Sequence, residues 1–347
     1  MAGGTKRTTI VDVGKLAGVS YKTVSRVLNG EPHVTPELQE RVRAAAEQLN
    51  YHPNAFAQGL VRQRSHLIGL VYENPSPSYV VELQMGVLDR LRGGHYRLVV
   101  LPVESVEQHA NEIVGLLRSA GLDGVVLAPP ASDHPTILAH LAAAHMRYAR
   151  ISPTHDTENG PSHLIDDTAA AREIAAYVIR QGHRRIAVIK GDPTHAATDA
   201  RLLGYTQAFE AAGIALDPAL VEGGMFTFDS GYEAARRLLA RGERPTAILA
   251  QNDEMAVGAM TAAREKGLSV PAQLSVVGFD DTEVSRVVWP QLTTIRQPVF
   301  EMAAAATEML IAQLEGETGG TGTTMHSHAL IVRGSVAVPD AKRLKKG

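Results

Sequence analysis

Apolar residues along this chain recur with two periods, and the period changes near residue 66. Between residues 9 and 50 the spacing is helical. Ile10, Val13, Leu16 and Ala17 share one face, with Thr9 placed to cap the helix and Asp12 in its first turn. Gly18 is a stop, and Ser20 can cap a second helix that runs to the pair Asn29-Gly30. In that second helix Val24, Val27 and Leu28 lie on one side. Tyr21, Lys22, Ser25, Arg26 and Asn29 lie on the other. A third helix opens at Thr35-Pro36-Glu37 and keeps its period through Leu38, Val42, Ala45, Ala46 and Leu49. Two short helices about a tight glycine turn predict a helix-turn-helix whose second helix enters the major groove.

From Leu67 the pattern becomes short apolar runs alternating with helical stretches. The runs LIGLVY, YRLVVLPV and DGVVLAPP are separated by helices predicted at 79–91 and 107–119. A second series follows residue 160: helix 168–181, strand RIAVIKG, helix 201–212, a strand near Leu220, helix 230–240, strand AILAQN, helix 253–266 and strand LSVVGFD. Alternating strands and helices predict parallel sheets covered on both faces. Two series predict two Rossmann-like lobes, with ligands at the carboxyl ends of the strands.

Charge sharpens this division. Of 34 Lys and Arg and 37 Asp and Glu, nine and five fall in residues 1–64, leaving 25 and 32 for the rest. A basic head on an acidic body points to a polyanion met by the head alone. The chain has no cysteine, which excludes disulfides and thiolate chemistry. No run approaches the roughly 18 apolar residues of a membrane span, and the first residues lack an apolar leader. A soluble, cytoplasmic protein is therefore expected, with no membrane partner. Fourteen histidines show no metal-ligand spacing, and no GxGxxG or Walker A run occurs. Neither metal, cofactor nor catalytic residue is expected, and Asp166-Asp167 reads as a helix cap rather than a catalytic dyad.

The run TIVDVGKLAGVSYKTVSRVLNG, followed by VTPELQERVRAAAEQLNYHPNAFAQGL, resembles the N-terminus of the LacI/GalR family of bacterial transcription regulators. The likeness continues through GHRRIAVIKGDP, RLLGY, AQNDEMAVGAM, LSVVGFDD, PQLTTIRQP and VRGSVAVP. It implies an N-terminal all-α helix-turn-helix domain and an α/β periplasmic-binding-protein-like core of two Rossmann-like lobes. The implied boundaries are residues 1–52 for the DNA-binding domain and 53–66 for a hinge helix and linker. One lobe takes 67–161 with 291–321, the other 162–290 with 322–340, and 341–347 form a tail. The implied DNA contacts are Thr9, Ser20, Tyr21, Lys22, Thr23, Ser25, Arg26, Asn29, Asn54, Ala57 and Leu60. Tyr21 and Lys22 hold the discriminating positions, and Leu60 the minor-groove wedge, although Gly59 weakens the helix that carries it. The implied effector contacts are Asn74, Tyr79, Arg201, Phe226, Asn252 and Asp280.

The expected function is that of a regulator, most simply a repressor of carbohydrate-utilisation genes, answering to a sugar-like effector and binding near-palindromic operator DNA as a homodimer. Val81, Met85, Met255 and Met260 are expected near the dimer interface, and Trp289 is expected to report lobe closure. A nucleobase or other metabolite is the alternative effector. A solute-binding protein of the same core fold is the alternative class.

Overall fold

The computed structural model describes residues 8–28, 34–51, 64–73, 76–155, 157, 160–317 and 322–339. Two compact units divide the chain, Met1–His66 and Leu67–Gly347.

The first unit contains α1 (Ile10–Ala17), α2 (Tyr21–Leu28) and α3 (Pro36–Gln48). Thr9 and Asp12 form a reciprocal capping box, which satisfies two of the amide donors that every helix start leaves open. Gly18, at φ 64°, ends α1 in a left-handed conformation that a side chain would strain. Ser20 Oγ then accepts from the Thr23 amide at 3.2 Å and starts α2. Val13, Ala17, Val24, Val27, Val42, Ala45 and Ala46 form the buried core, as the helical spacing predicts. Leu16 departs from that reading: it is 46% exposed, on the outer side of α1. The residues of the expected hinge helix, Asn54, Ala57, Gly59 and Leu60 among them, lie outside the described residues, as does Asn29.

The second unit has two parallel sheets. The first takes β1 (Leu67–Tyr72), β2 (Arg97–Pro102), β3 (Gly124–Leu127), β4 (Arg147–Ile151), β5 (Ser162–Leu164) and β11 (Thr323–Met325), in the order β11-β5-β4-β3-β1-β2. Helices α4 (Pro77–Leu91), α5 (Val106–Ser119), α6 (Pro135–Ala143) and α12 (Val299–Glu315) flank it. The second sheet takes β6 (Ile186–Lys190), β7 (Val221–Gly223), β8 (Ala247–Ala250) and β9 (Ser275–Val277), ordered β7-β6-β8-β9. Its helices are the pair α7 (Asp167–Arg180) and α8 (Ala196–Ala211), and the pair α9 (Phe228–Leu239) and α10 (Asp253–Glu265). A short α11 (Glu283–Val287) follows β9. Strands β10 (Thr294–Arg296) and β12 (Ala329–Ile331) pair antiparallel with each other, outside both sheets.

The chain passes between the lobes three times, a few residues later than the sequence reading places two of the passages. Ser162 and His163 pair with Arg150 and Ile151 of β4, and Thr323–Met325 pair in parallel with Ser162–Leu164. Both segments therefore belong to the first sheet, which β11 closes at one edge. Three-residue strands are too short to show a period. Met255 and Met260, expected at an interface, are 0% and 1% exposed and pack in the second lobe's core. Val81 and Met85 are exposed.

Candidate effector cleft and DNA-reading helix

In the head, burial of Val24 and Val27 fixes which side of α2 meets solvent. Tyr21 is 54% exposed, Lys22 and Arg26 are exposed beside it, and Thr23 and Ser25 are half-buried. Ser20 and Thr23 share a hydroxyl–hydroxyl bond of 2.9 Å. Thr9 is committed to its cap, its hydroxyl donating to Asp12 Oδ2 at 2.7 Å. The outward face thus offers a cation pair, a phenol and small hydroxyls, the groups that read base edges and hold phosphates.

The core unit has a partly open cleft between its lobes. Ser76, Tyr79 and Ser152 line it from the first lobe; Asp167, His195, Arg201, Phe226, Asn252 and Asp280 line it from the second. Gln297 enters from the segment just after β10. The five effector residues implied by the resemblance that fall among the described residues all come together here. The sixth, Asn74, lies outside the described residues.

Arg201, on α8, is 5% exposed. Its Nε donates to Asp167 Oδ1 at 2.8 Å and its Nη1 to the Gln251 carbonyl at 2.6 Å. The guanidinium carbon sits over the Phe279 ring, 3.7 Å from the centroid, and Asp280 Oδ1 stands 3.9 Å from Nη1. Arg201 therefore supports the cleft as well as facing it. Removing it strands the buried Asp167 carboxylate, a loss that typically costs about 3–5 kcal/mol. Asp166, its chain neighbour, caps α7 by accepting from the Ala169 amide at 2.8 Å. Of two adjacent acids that both read as caps, one is a cap and the other is the partner of Arg201.

Asp280 sits at φ 111°, beyond the end of β9. Its amide donates to the Ile295 carbonyl of β10 at 2.7 Å, and its carboxylate accepts from Gln297 Nε2. Burial raises its pKa to about 7, against the opposing pull of Arg201. Asp253, at the start of α10, is buried completely and accepts from the Thr282 amide at 2.8 Å and the Thr294 hydroxyl at 2.6 Å. Burial, and then the charge of Asp280, raises its pKa as well.

Phe226 occupies a left-handed position at φ 57°. Its ring lies on Gly191, where a Cβ would come within 2.0 Å of the ring, and meets the His195 ring edge-on at 5.3 Å. Asn252 Nδ2 donates to the Phe226 carbonyl at 2.8 Å, and Asn252 Oδ1 caps α10 through the Met255 amide at 2.9 Å. Asn252 thus fixes the aromatic wall while lining the cavity. Tyr79 is 7% exposed, and burial raises its hydroxyl pKa; Ser152 lies beside it. A guanidinium, carboxylates, a phenol and a ring wall in one cleft suit a polyhydroxylated ligand: carboxylates accept from hydroxyls, and guanidinium donates to them.

Sequence reading missed Ser76, Ser152, Asp167, His195 and Gln297. Among the described residues, no group of three or more His, Cys, Asp or Glu side chains could hold a metal, and no helix is long and apolar enough to cross a membrane.

Sequence-family comparison matches residues 9–54 to the bacterial regulatory proteins of the lacI family and residues 175–336 to a periplasmic binding protein-like domain. Catabolite control protein A of Priestia megaterium is 31% identical over 330 residues, 94% of this chain and 98% of the relative. The ribose operon repressor of Escherichia coli K12 is 33% identical over 333 residues, 94% and 99% of the two chains. Among solved structures, the lac repressor dimer bound to operator and the anti-inducer ONPF superposes with a TM-score of 0.83 at 30% identity, covering 96% of this chain and all (100%) of that one. A reading helix on an all-α head, two parallel lobes about a polar cleft and identity above 30% over nearly the whole chain make this protein a member of the LacI family of bacterial regulatory proteins, a DNA-binding transcriptional regulator with an effector-binding core.

Proposed function

We propose that the chain acts in the cytoplasm as a homodimeric repressor of carbohydrate-utilisation genes. It binds a near-palindromic operator through Tyr21, Lys22 and Arg26 and changes its hold on DNA when a sugar or sugar derivative fills the cleft. The observation that carries this reading is the array of Arg201, Asp167 and Asp280 lining a cleft beside Phe226. The relative named for the ribose operon and the operator-bound lac repressor dimer support it. The uronic or phosphorylated forms of a sugar fit poorly. Asp167 and Asp280 face Arg201 in the cleft, Asp167 already engages it, and Asp253 and Glu254 add acidic groups close to Asp280.

The test is operator binding measured by fluorescence anisotropy on sites selected from a random DNA pool, titrated with neutral sugars, glucuronate and glucose 6-phosphate. Near-palindromic sites and a response to one neutral sugar are expected. Arg201→Lys retains a cation beside Asp167 but loses the planar fork, and should bind operator while losing at least tenfold in sugar sensitivity. A wild-type sugar response in this variant removes Arg201 from the effector site.

A further inference from the structure

A buried hydrogen bond ties the two lobes to each other. Ser76 stands just before α4 in the first lobe, and Glu254 is the second residue of α10 in the second. The Ser76 hydroxyl donates to Glu254 Oε1 at 2.7 Å, across 178 positions of chain. The two residues are 2% and 8% exposed. The other carboxylate oxygen, Oε2, accepts from Asn252 Nδ2 at 3.1 Å. Each oxygen of Glu254 is thus engaged within the protein, and Glu254 stands outside the cleft lining.

Such a bond acts differently in open and closed cores. When the lobes part, water reaches the carboxylate and takes the place of Ser76. When they meet, water leaves, and the hydroxyl has to replace it, because a buried carboxylate oxygen without a donor is costly. A hydroxyl bonded to a carboxylate is charge-assisted and stronger than a neutral pair. Closure therefore carries its own compensation. Both ends of the bond are fixed to the cleft walls. Asn252 Nδ2 also donates to the Phe226 carbonyl at 2.8 Å, so Glu254, Asn252 and Phe226 form one hydrogen-bonded unit of the second lobe. Ser76 Oγ caps α4 by accepting from the Tyr79 amide at 3.4 Å. The backbone of Glu73, just beyond β1, bonds the His195 ring and joins the lobes a second time.

We propose that Ser76 and Glu254 form a latch that holds the lobes closed in the ligand-free core, so that the chain itself sets the balance of closed and open cores and the effector only biases it. This deepens the reading above, in which a ligand in the cleft alters the hold on DNA. It rests on that gating and not on the ligand's being a sugar. A ligand shifts a two-state balance by its preference for one state, and the latch fixes where that balance starts.

The experiment uses the full chain, which has no cysteine of its own, so introduced cysteines are its only labelling sites. Glu104→Cys, just after β2, and Pro193→Cys, just after β6, are exposed beyond strand ends of opposite lobes. Spin labels there report lobe separation by double electron–electron resonance, and each single cysteine alone gives the distances between subunits. Ligand-free wild type should show mainly a short distance. Ser76→Thr keeps the hydroxyl and the cap and should match it. Ser76→Asp keeps a good cap but sets carboxylate against carboxylate. It should move the ratio of short to long distances towards long by at least about tenfold, the scale of one charge-assisted hydrogen bond. Glu254→Ala, with no carboxylate to pair, should do the same, and it carries the test if Ser76→Asp does not fold. A wild-type distribution in both latch variants, or a wild type found mainly at the long distance, overturns the latch and leaves the ligand-gated reading in place. A shift in both variants, with neither distance nor operator binding answering to any sugar, upholds the latch and sinks the carbohydrate reading.

Discussion

Asp280 is a carboxylate whose charge the fold resists. Its pKa of about 7 stands well above the ordinary carboxylate value because burial strips its water, and Arg201 offsets this only in part. The sign follows from linkage. Below pH 3.8 both folded and unfolded chains hold the proton. Between 3.8 and about 7 the unfolded chain ionises first, and stability falls as pH rises. Asp280→Asn should therefore raise the melting temperature at pH 8, raise it less at pH 6 and leave it unchanged at pH 4. A melting series at these three values checks it; a gain that grows towards acid would contradict the burial argument. The same variant should bind sugar more weakly, since an amide carries one acceptor where a carboxylate carries two. Arg201, Asn252 and Asp280 were legible because each stands in a run, RLLGY, AQNDE or GFDD, that the family shares. Asp167 and Gln297 were not. Asp167 meets Arg201 across 34 positions and Gln297 meets Asp280 across 17, and local spacing says nothing about which distant side chains converge.

At the scale of elements, hydrophobic period predicted all three head helices, six helices of the core and the strands β1, β2, β3, β6, β7, β8 and β9, but not β4, α6 or the 17-residue α12. It also failed for β5, β10, β11 and β12, each three residues long, which exist because neighbouring backbone groups pair with them. Helix-on-helix distance was also invisible, since it depends on a missing side chain. In α4 a Cβ at Gly86 would lie 2.2 Å from the Phe300 carbonyl and 2.8 Å from the Ala303 Cβ of α12. Intrinsic preference favours alanine over glycine within a helix by about 0.5–1 kcal/mol. Overpacking against backbone costs about 1–3 kcal/mol, and here it should win. Gly86→Ala should lower stability by about 1–2 kcal/mol, read as an earlier urea midpoint with unchanged slope. A later midpoint would mean that α4 and α12 separate freely.

For the whole molecule, the outer face of α4 exposes Val81, Met85 and Leu88, at 58%, 46% and 45%. An apolar face of that kind, on a chain proposed to bind as a two-fold pair, is the natural place for the partner copy. The double substitution Val81→Glu, Met85→Glu should sediment as a folded monomer at micromolar concentration and lose at least 100-fold in operator affinity, because each head then binds a single half-site. A dimer that persists would move the interface elsewhere. Trp289 stands 80% exposed, so its ring is not enclosed by the cleft, and DNA anisotropy is the better readout of the ligand response. The fastening of Asp280 to Ile295 and Gln297 bears on how such a protein could be rebuilt. Of the residues that line the cleft, His195 and Phe226 ride on loops before α8 and α9, whereas Asp280, with Asp253, is tied to β10 and the segment after it. Grafting new loops over 191–197 and 224–227 while keeping Asp280, Ile295 and Gln297 should therefore retarget the chain as a biosensor, with new chemistry at the input and an untouched transmission to DNA.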